Sequence, residues 1–284
     1  MSTRNYNELL HDQWAQKKFL CVGLDPDIDK IPEVVQGTNV YETIVGFNKA
    51  IIDGTQTLVG AYKTNSAFYE AHGEEGLRAL RDTISYINDV APTIPVILDA
   101  KRADIGNTNT GYVQFAFEYL HADAITVHPY LGREALQPFL DQKDKGIIIL
   151  CRTSNKGAGE FQDVLVDGPS IPIGTREPLY LKVARNISRE WNANNNCSVV
   201  VGATYPEELR AVRTAIGDMP ILIPGIGAQG GDVETTVHAS KNSRGEGMII
   251  SASRSIIYAS SGNDFAGAAQ RESQRLDAQI RATL

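Results

Sequence analysis

The sequence predicts an α/β chain folded as one (β/α)8 barrel, a TIM barrel, over residues 1–284. Eight short runs rich in Val, Ile and Leu recur at spacings of about 20 to 50 residues, and the stretches between them carry apolar residues at helical spacing. Several runs are almost unbroken in aliphatic residues, the pattern of a parallel sheet covered by helices. The turn after the first run reads Gly23-Leu24-Asp25-Pro26-Asp27 and lacks the glycine-rich fingerprint that often follows the first strand of an open doubly wound sheet. Eight βα units in about 250 residues is the arithmetic of a closed barrel.

The elements follow in order. A strand is expected at Phe19–Asp25 and a helix over Val40–Gly54; a second strand at Leu58–Lys63 leads to a helix over Gly73–Val90. The apolar run of Ile94–Lys101 is the third strand, with a helix over Asn109–Leu120. Ala124–His128 and a helix over Arg133–Leu140 form the fourth unit, and Gly146–Cys151 the fifth strand. The segment Arg152–Glu177 is long and rich in Gly and Pro, and reads equally as a functional or oligomeric loop or as a plain surface excursion. Ser198–Ala203, Pro220–Pro224 and Gly247–Ser251 complete the barrel, and Asp264 to Leu284 reads as a last amphipathic helix that Asn263 or Asp264 can cap. No internal repeat or low-complexity linker divides the chain.

Composition narrows the function. With 27 Lys+Arg against 34 Asp+Glu the formal net charge is -7, so nucleic acid and an anionic membrane surface, which need a basic footprint, are not expected partners. Cys21, Cys151 and Cys197 lie in or beside apolar runs without metal-ligand spacing, as buried thiols do. Met1 to Lys18 lacks the apolar core of a secretory signal, and no run approaches the roughly 20 apolar residues of a membrane span. The expected compartment is a reducing one, the cytoplasm.

In a barrel of this kind catalytic groups sit at the C-terminal strand ends. Strand 1 ends at Asp25, strand 2 at Lys63, and strand 3 at Asp99 and Lys101 with Asp104 just beyond, a D-x-K-x-x-D pattern. Side chains alternate along a strand, so Asp99 and Lys101 leave the same face about 6–7 Å apart. Such charges at a buried strand end are costly unless paired or used. They are either a structural ion pair or a lysine held cationic between carboxylates in a pocket. Strand 5 leads to Thr153-Ser154-Asn155, and strand 8 to Ser253-Arg254. Gly225, Gly227, Gly230 and Gly231 after strand 7, with Arg254 after strand 8, read as a phosphate grip of backbone N–H groups and a bidentate guanidinium. His128 ends strand 4, where a histidine satisfied by hydrogen bonds is the commoner case. Ser154 has no histidine base beside it in sequence, so it reads as a hydrogen-bonding group and not a nucleophile.

The run Asp99-Ala100-Lys101-Arg102-Ala103-Asp104-Ile105-Gly106-Asn107-Thr108 resembles the signature of the orotidine 5'-phosphate decarboxylases. The likeness extends over nearly the whole chain. Val22-Gly23-Leu24-Asp25 resembles the family's first strand, whose aspartate contacts the ribose; Lys63 matches the strand 2 lysine and Ser154 the serine that hydrogen-bonds the pyrimidine. Gln229 and Arg254 match the phosphate clamp. Thr126-Val127-His128-Pro129-Tyr130-Leu131-Gly132 and Ser251-Ala252-Ser253-Arg254 resemble the longer bacterial-type branch, whereas Asn155-Lys156-Gly157 mixes features of both branches.

The resemblance implies decarboxylation of orotidine 5'-phosphate to uridine 5'-phosphate, the last step of de novo pyrimidine biosynthesis, with no cofactor and no metal. Without an electron sink, charge that appears only in the transition state must be met by fixed groups. By this likeness Lys101 is the proton donor, and Asp99, Asp104 and Lys63 complete a Lys-Asp-Lys-Asp network whose carboxylates keep the lysine charged. The resemblance also implies a homodimer with shared sites, in which Asp104, Ile105 and Thr108 serve the neighbouring pocket. The alternatives are a metal-dependent sugar-phosphate decarboxylase or aldolase of the same superfamily, and a non-catalytic barrel that binds phosphoribosyl ligands. The first places an acidic metal ligand where this chain has Lys63, a cation that opposes Mg²⁺.

Overall fold

The aliphatic runs pair side by side and close on themselves. The computed structural model describes residues 4–167, 175–227 and 231–284. Among these, eight parallel strands form a closed barrel: β1 (Leu20–Gly23), β2 (Ala61–Asn65), β3 (Val96–Arg102), β4 (Ala124–Val127), β5 (Gly146–Arg152), β6 (Cys197–Val201), β7 (Ile221–Pro224) and β8 (Met248–Ala252). Each strand pairs with its neighbours in sequence, and β1 shuts the ring by setting Cys21 against Ala61 on one side and Ser251 on the other. Ile147, Ile148 and Ile149 of β5 are all fully buried, as a strand with packed faces on both sides requires.

The main helices are α1 (Tyr6–Ala15), α2 (Val40–Thr55), α3 (Gly73–Val90), α4 (Gly106–Val113), α5 (Gly132–Leu140), α6 (Leu179–Asn186), α7 (Pro206–Ile216), α8 (Val233–Ser240) and α9 (Phe265–Thr283). Helix α2 starts where Asn39 accepts from Glu42 N–H, a first-turn donor, while the Glu42 carboxylate takes the N–H of Thr38, just before the cap, at 2.8 Å. Its buried face presents Ile44, Phe47, Ile51 and Ile52 to the barrel. α7 opens on Pro206, whose missing N–H costs nothing there, and stops at Gly217, at φ +63°.

Helix α1 closes the end of the barrel opposite the mouth. Trp14 Nε1–H donates to Met248 O at 2.9 Å, and the Arg4 guanidinium grips Asp123 at 2.7 and 2.9 Å. Asp123 in turn accepts Val96 N–H at 2.9 Å. A Cβ on Gly146 would lie 2.4 Å from the Tyr6 ring, so this strand start has to be glycine for α1 to seat.

Three boundaries differ from the sequence expectation in ways that matter at the mouth. β2 continues two residues past Lys63, so that lysine lies inside the strand and not at its end. The helix expected from Asn109 begins at Gly106, and its last part, Gln114–Tyr119, widens into π turns. The N-terminal extension follows from Asn109, which is buried and accepts Asp104 N–H at 2.9 Å while donating to Asp104 O at 2.7 Å and to Ala135 O at 2.6 Å. At the start of α9, Asp264 holds the cap position, but its carboxylate accepts from Ser260 and Arg271 and not from the helix amides.

The described residues of the long excursion after β5 carry structure of their own. Gly159–Gln162 forms a helical turn, and Leu165–Val166 pairs antiparallel with Glu177–Pro178. No helix among the described residues is long and apolar enough to cross a membrane.

Candidate active site

A cavity of about 530 Å³ opens at the C-terminal ends of the strands. Six of the residues singled out from sequence line it together: Asp25, Lys63, Asp99, Lys101, Ser154 and Arg254. On one wall the charges alternate. Lys63 Nζ stands 3.6 Å from Asp25 Oδ1 and 3.2 Å from Asp99 Oδ2, and Lys101 Nζ stands 2.7 Å from Asp99 Oδ1. The register that sets this up is β2 against β3, with Lys63 opposite Ile97 and Asn65 opposite Asp99. Asn65 N–H donates to Asp25 Oδ1 at 3.1 Å, which fixes the residue just beyond β1 to the end of β2.

Burial sorts the two lysines. The Lys63 side chain is 7 % exposed and that of Lys101 is 48 % exposed, so Lys63 is sealed into the wall while the Lys101 ammonium reaches the open space. Burial alone pulls the Lys63 pKa down, but attraction to Asp25 and Asp99 outweighs it and holds the ammonium above the ordinary lysine range. Burial likewise pushes Asp99 up, yet Lys63 and Lys101, with hydrogen bonds from Lys101 and Thr126, keep its carboxyl well below the usual carboxylate range. Both groups are therefore charged at neutral pH.

The end of β3 is not a regular strand. Between Leu98 and Arg102 its register with β4 shifts, and Lys101 takes φ +48°, a left-handed conformation that costs a non-glycine residue about 1–3 kcal/mol. Simple alternation along the strand does not by itself explain how Asp99 and Lys101 meet. Thr126 on β4, fully buried, donates to Asp99 Oδ1 at 2.8 Å and accepts Lys101 N–H at 2.9 Å.

Asp104, Ile105 and Thr108 stand apart. None lines the cavity, and Asp104 enters none of the ion pairs among the described residues. Its Oδ1 accepts Ile105 N–H at 2.6 Å, at the entry to α4. Ile105 is 58 % exposed, and Tyr130, on the loop after β4, is 84 % exposed. His128 does not line the cavity either; its Nδ1 accepts Tyr130 N–H at 3.3 Å, the satisfied role that its position suggested.

The opposite wall belongs to β7 and β8. Gly225 and Gly227 adopt φ +104° and +77°, which only glycine takes without strain, and Ile226 bridges to Gly231. A Cβ on Gly231 would sit 2.7 Å from that of Ala203 and 3.0 Å from Gly225 O. Gln229 and Gly230 lie outside the described residues. Arg254 starts the short helix Arg254–Ile257, and the first turn of α8 is already capped by Asp232, which accepts Thr235 N–H at 2.8 Å. An anion at this wall would therefore meet Arg254 and the glycine loop.

Sequence reasoning passed over Thr126, Asn65, Asn109 and Gln162. Gln162, from the excursion after β5, lines the cavity and holds Thr153 through N–H and hydroxyl contacts of 2.8 Å each, next to Ser154. The three thiols are buried, and burial pushes each of them up to about 12. None of them lines the cavity.

The comparisons with known proteins converge. Residues 18–269 match the model of the "Orotidine 5'-phosphate decarboxylase / HUMPS family". The chain is 48 % identical over 277 residues to the orotidine 5'-phosphate decarboxylase of Cellvibrio japonicus, covering 97 % of this chain and 98 % of that one. It is 46 % identical over 260 residues to that of Herpetosiphon aurantiacus, covering 92 % and 91 %. The solved structure of Leishmania donovani OMP decarboxylase superposes with a TM-score of 0.81 at 35 % identity, over 98 % of this chain and 99 % of the other. With a shared barrel, a family match over most of its length and relatives near half identity, the chain belongs to the orotidine 5'-phosphate decarboxylase / HUMPS family.

Proposed function

We propose that this protein converts orotidine 5'-phosphate to uridine 5'-phosphate and CO₂ by charge stabilisation alone. The observation that carries the reading is the buried alternation Asp25–Lys63–Asp99–Lys101 along one wall of the cavity, ending in an ammonium that faces the open space. Arg254, with Gln229 as the sequence likeness implies, grips the phosphate, and Ser154 takes the pyrimidine edge. The substrate carboxylate then lies against the Asp99–Lys101 pair. The C–C bond to the carboxylate breaks, its electron pair stays on the ring carbon, and Lys101 Nζ–H delivers its proton to that carbon. Lys101 is left as a neutral amine and regains a proton from water. Fixed charges act here because they are already oriented when the carbanion-like charge appears. The metal-dependent reading is disfavoured by Lys63, whose ammonium stands within 3.6 Å of both carboxylates that would have to ligate a cation.

A two-fold dimer would account for Asp104, Ile105 and Thr108, which lie outside their own cavity, and for the exposure of the large apolar Ile105 side chain. In it Asp104 completes the charge network of the partner. A hybrid of Lys101→Ala and Asp104→Ala chains should regain activity in those pockets that combine two intact residues, and no recovery at all would refute sharing. Three buried thiols suit a reducing compartment such as the cytoplasm.

The reaction is tested by the ultraviolet change of orotidine 5'-phosphate with excess chelator present. Wild type should consume it, and Lys101→Ala should be slower by at least about 10³-fold. Unchanged substrate under wild type, or abolition by chelator, would overturn the reading.

A further inference from the structure

We infer that Thr126 is a positioning residue of this site: its hydroxyl locks the bulged end of β3 so that the Asp99 carboxylate and the Lys101 ammonium meet at one point of the cavity. The inference rests on the decarboxylase reading above for its kinetic consequence, though not for its geometry. Along this edge β3 runs from Leu98 to Arg102 while β4 runs only from Ile125 to Val127, so Asp99, Ala100 and Lys101 stand against Thr126 alone. A regular ladder cannot serve three residues with one. The side chain of Thr126 takes over, accepting Lys101 N–H at 2.9 Å and donating to Asp99 Oδ1 at 2.8 Å.

The same Asp99 oxygen receives Lys101 Nζ at 2.7 Å, so one buried hydroxyl closes a ring through backbone and side chain of both charged residues. The task demands a group that donates and accepts at once within reach of a strand, which a hydroxyl does and a methyl cannot. Lys101 sits at φ +48°, a conformation that persists only where the surroundings over-determine it. Without the hydroxyl its N–H loses its acceptor inside the barrel, and the strand end is free to relax toward ordinary pairing. The ammonium would then swing off its mark. Thr126 touches no substrate; it acts through the two residues that do.

Thr126→Val keeps the shape and removes the hydroxyl, Thr126→Ala and Thr126→Ser differ from each other by a single oxygen. With orotidine 5'-phosphate, Val and Ala should lower kcat by about 100-fold with KM within about threefold of wild type, while Ser stays within about threefold in both. Amide hydrogen exchange at Lys101 should speed up by about tenfold or more in Val and Ala and not in Ser. Wild-type kcat in Val or Ala, or a Ser variant as slow as Ala, would overturn the inference. If Val does not fold, the Ser and Ala pair decides by the same criteria. If wild type does not turn over the substrate, the decarboxylase reading falls, and the exchange rates at Lys101 decide the positioning role on their own.

Discussion

Along the β3–β4 edge of the mouth every charged group is held by a short contact, whereas along the β7–β8 edge the chain turns on glycines and Arg254 enters none of the ion pairs among the described residues. On the first edge Asp99, Lys101 and Thr126, with Lys63 from the adjoining β2, over-determine one another at 2.7 to 3.2 Å. On the second, Gly225 and Gly227 turn the backbone at φ +104° and +77°. The difference follows from what each edge has to meet. Charge that develops only during the reaction cannot organise the groups that stabilise it, so they are fixed beforehand. A phosphate, on the proposed reading, carries its charge from the start, so the groups that would meet it need no such fixing beforehand.

That contrast can be broken at its rigid edge first. Asp99→Asn removes the charge that joins the two lysines, and activity should fall by about 10³-fold or more with a loss of about 2 kcal/mol in stability, because the buried Lys63 ammonium is left with Asp25 alone at 3.6 Å. Steady-state kinetics and urea unfolding check both; an active, equally stable variant would mean the network is ornamental. At the open edge, Arg254→Ala should reduce kcat/KM by about 10²-fold without a comparable loss of stability, because the guanidinium lines the cavity and enters none of the ion pairs among the described residues. If Arg254→Ala unfolds as readily as Asp99→Asn, the two edges are not built differently.

The titration of Asp99 sharpens the same point. Its carboxyl is held below its unfolded value, so the stability it contributes is complete above pH about 4 and drains away as pH falls further toward the depressed folded value. Lys63 is raised, so its contribution is complete below pH about 10.4 and is lost only as pH rises through the higher folded value. Between pH 5 and pH 3 wild type should lose about 1 kcal/mol more than Asp99→Asn. Equal acid slopes in denaturant unfolding would refute the linkage. The smallest kinetic effect is expected at Asn109→Ala, which unfastens the turn at Asp104: about tenfold in kcat, with a loss of about 1–3 kcal/mol in stability from the buried backbone groups it leaves unpaired, measured by kinetics and thermal unfolding.

Much of this was legible in the sequence because it depends on local pattern. The eight barrel strands announce themselves through aliphatic runs bounded by Gly, Pro and Asn, and their ends differ from expectation by a few residues at most. Asp25, Lys63, Asp99, Lys101, Ser154 and Arg254 could be picked out because charged and polar residues at strand ends of a barrel share one mouth. Asn109 and Gln162 were not legible: their partners lie across turns that no periodicity describes. The cap at Asp264 was misjudged because Ser260 and Arg271 compete for its carboxylate.

By itself, then, the chain's order of residues determined the barrel, its parallel pairing and the chemical kinds of group at the mouth, since these follow from apolar period, turn residues and strand ends. Only the tertiary structure decided that Lys63 is sealed and Lys101 open, that Asp104 leaves its own cavity, and that Thr126 bonds both Asp99 and Lys101. The reason is physical: those facts depend on the register between strands that are neighbours in space, and on a two-residue slip of β3 against β4 that no single strand encodes.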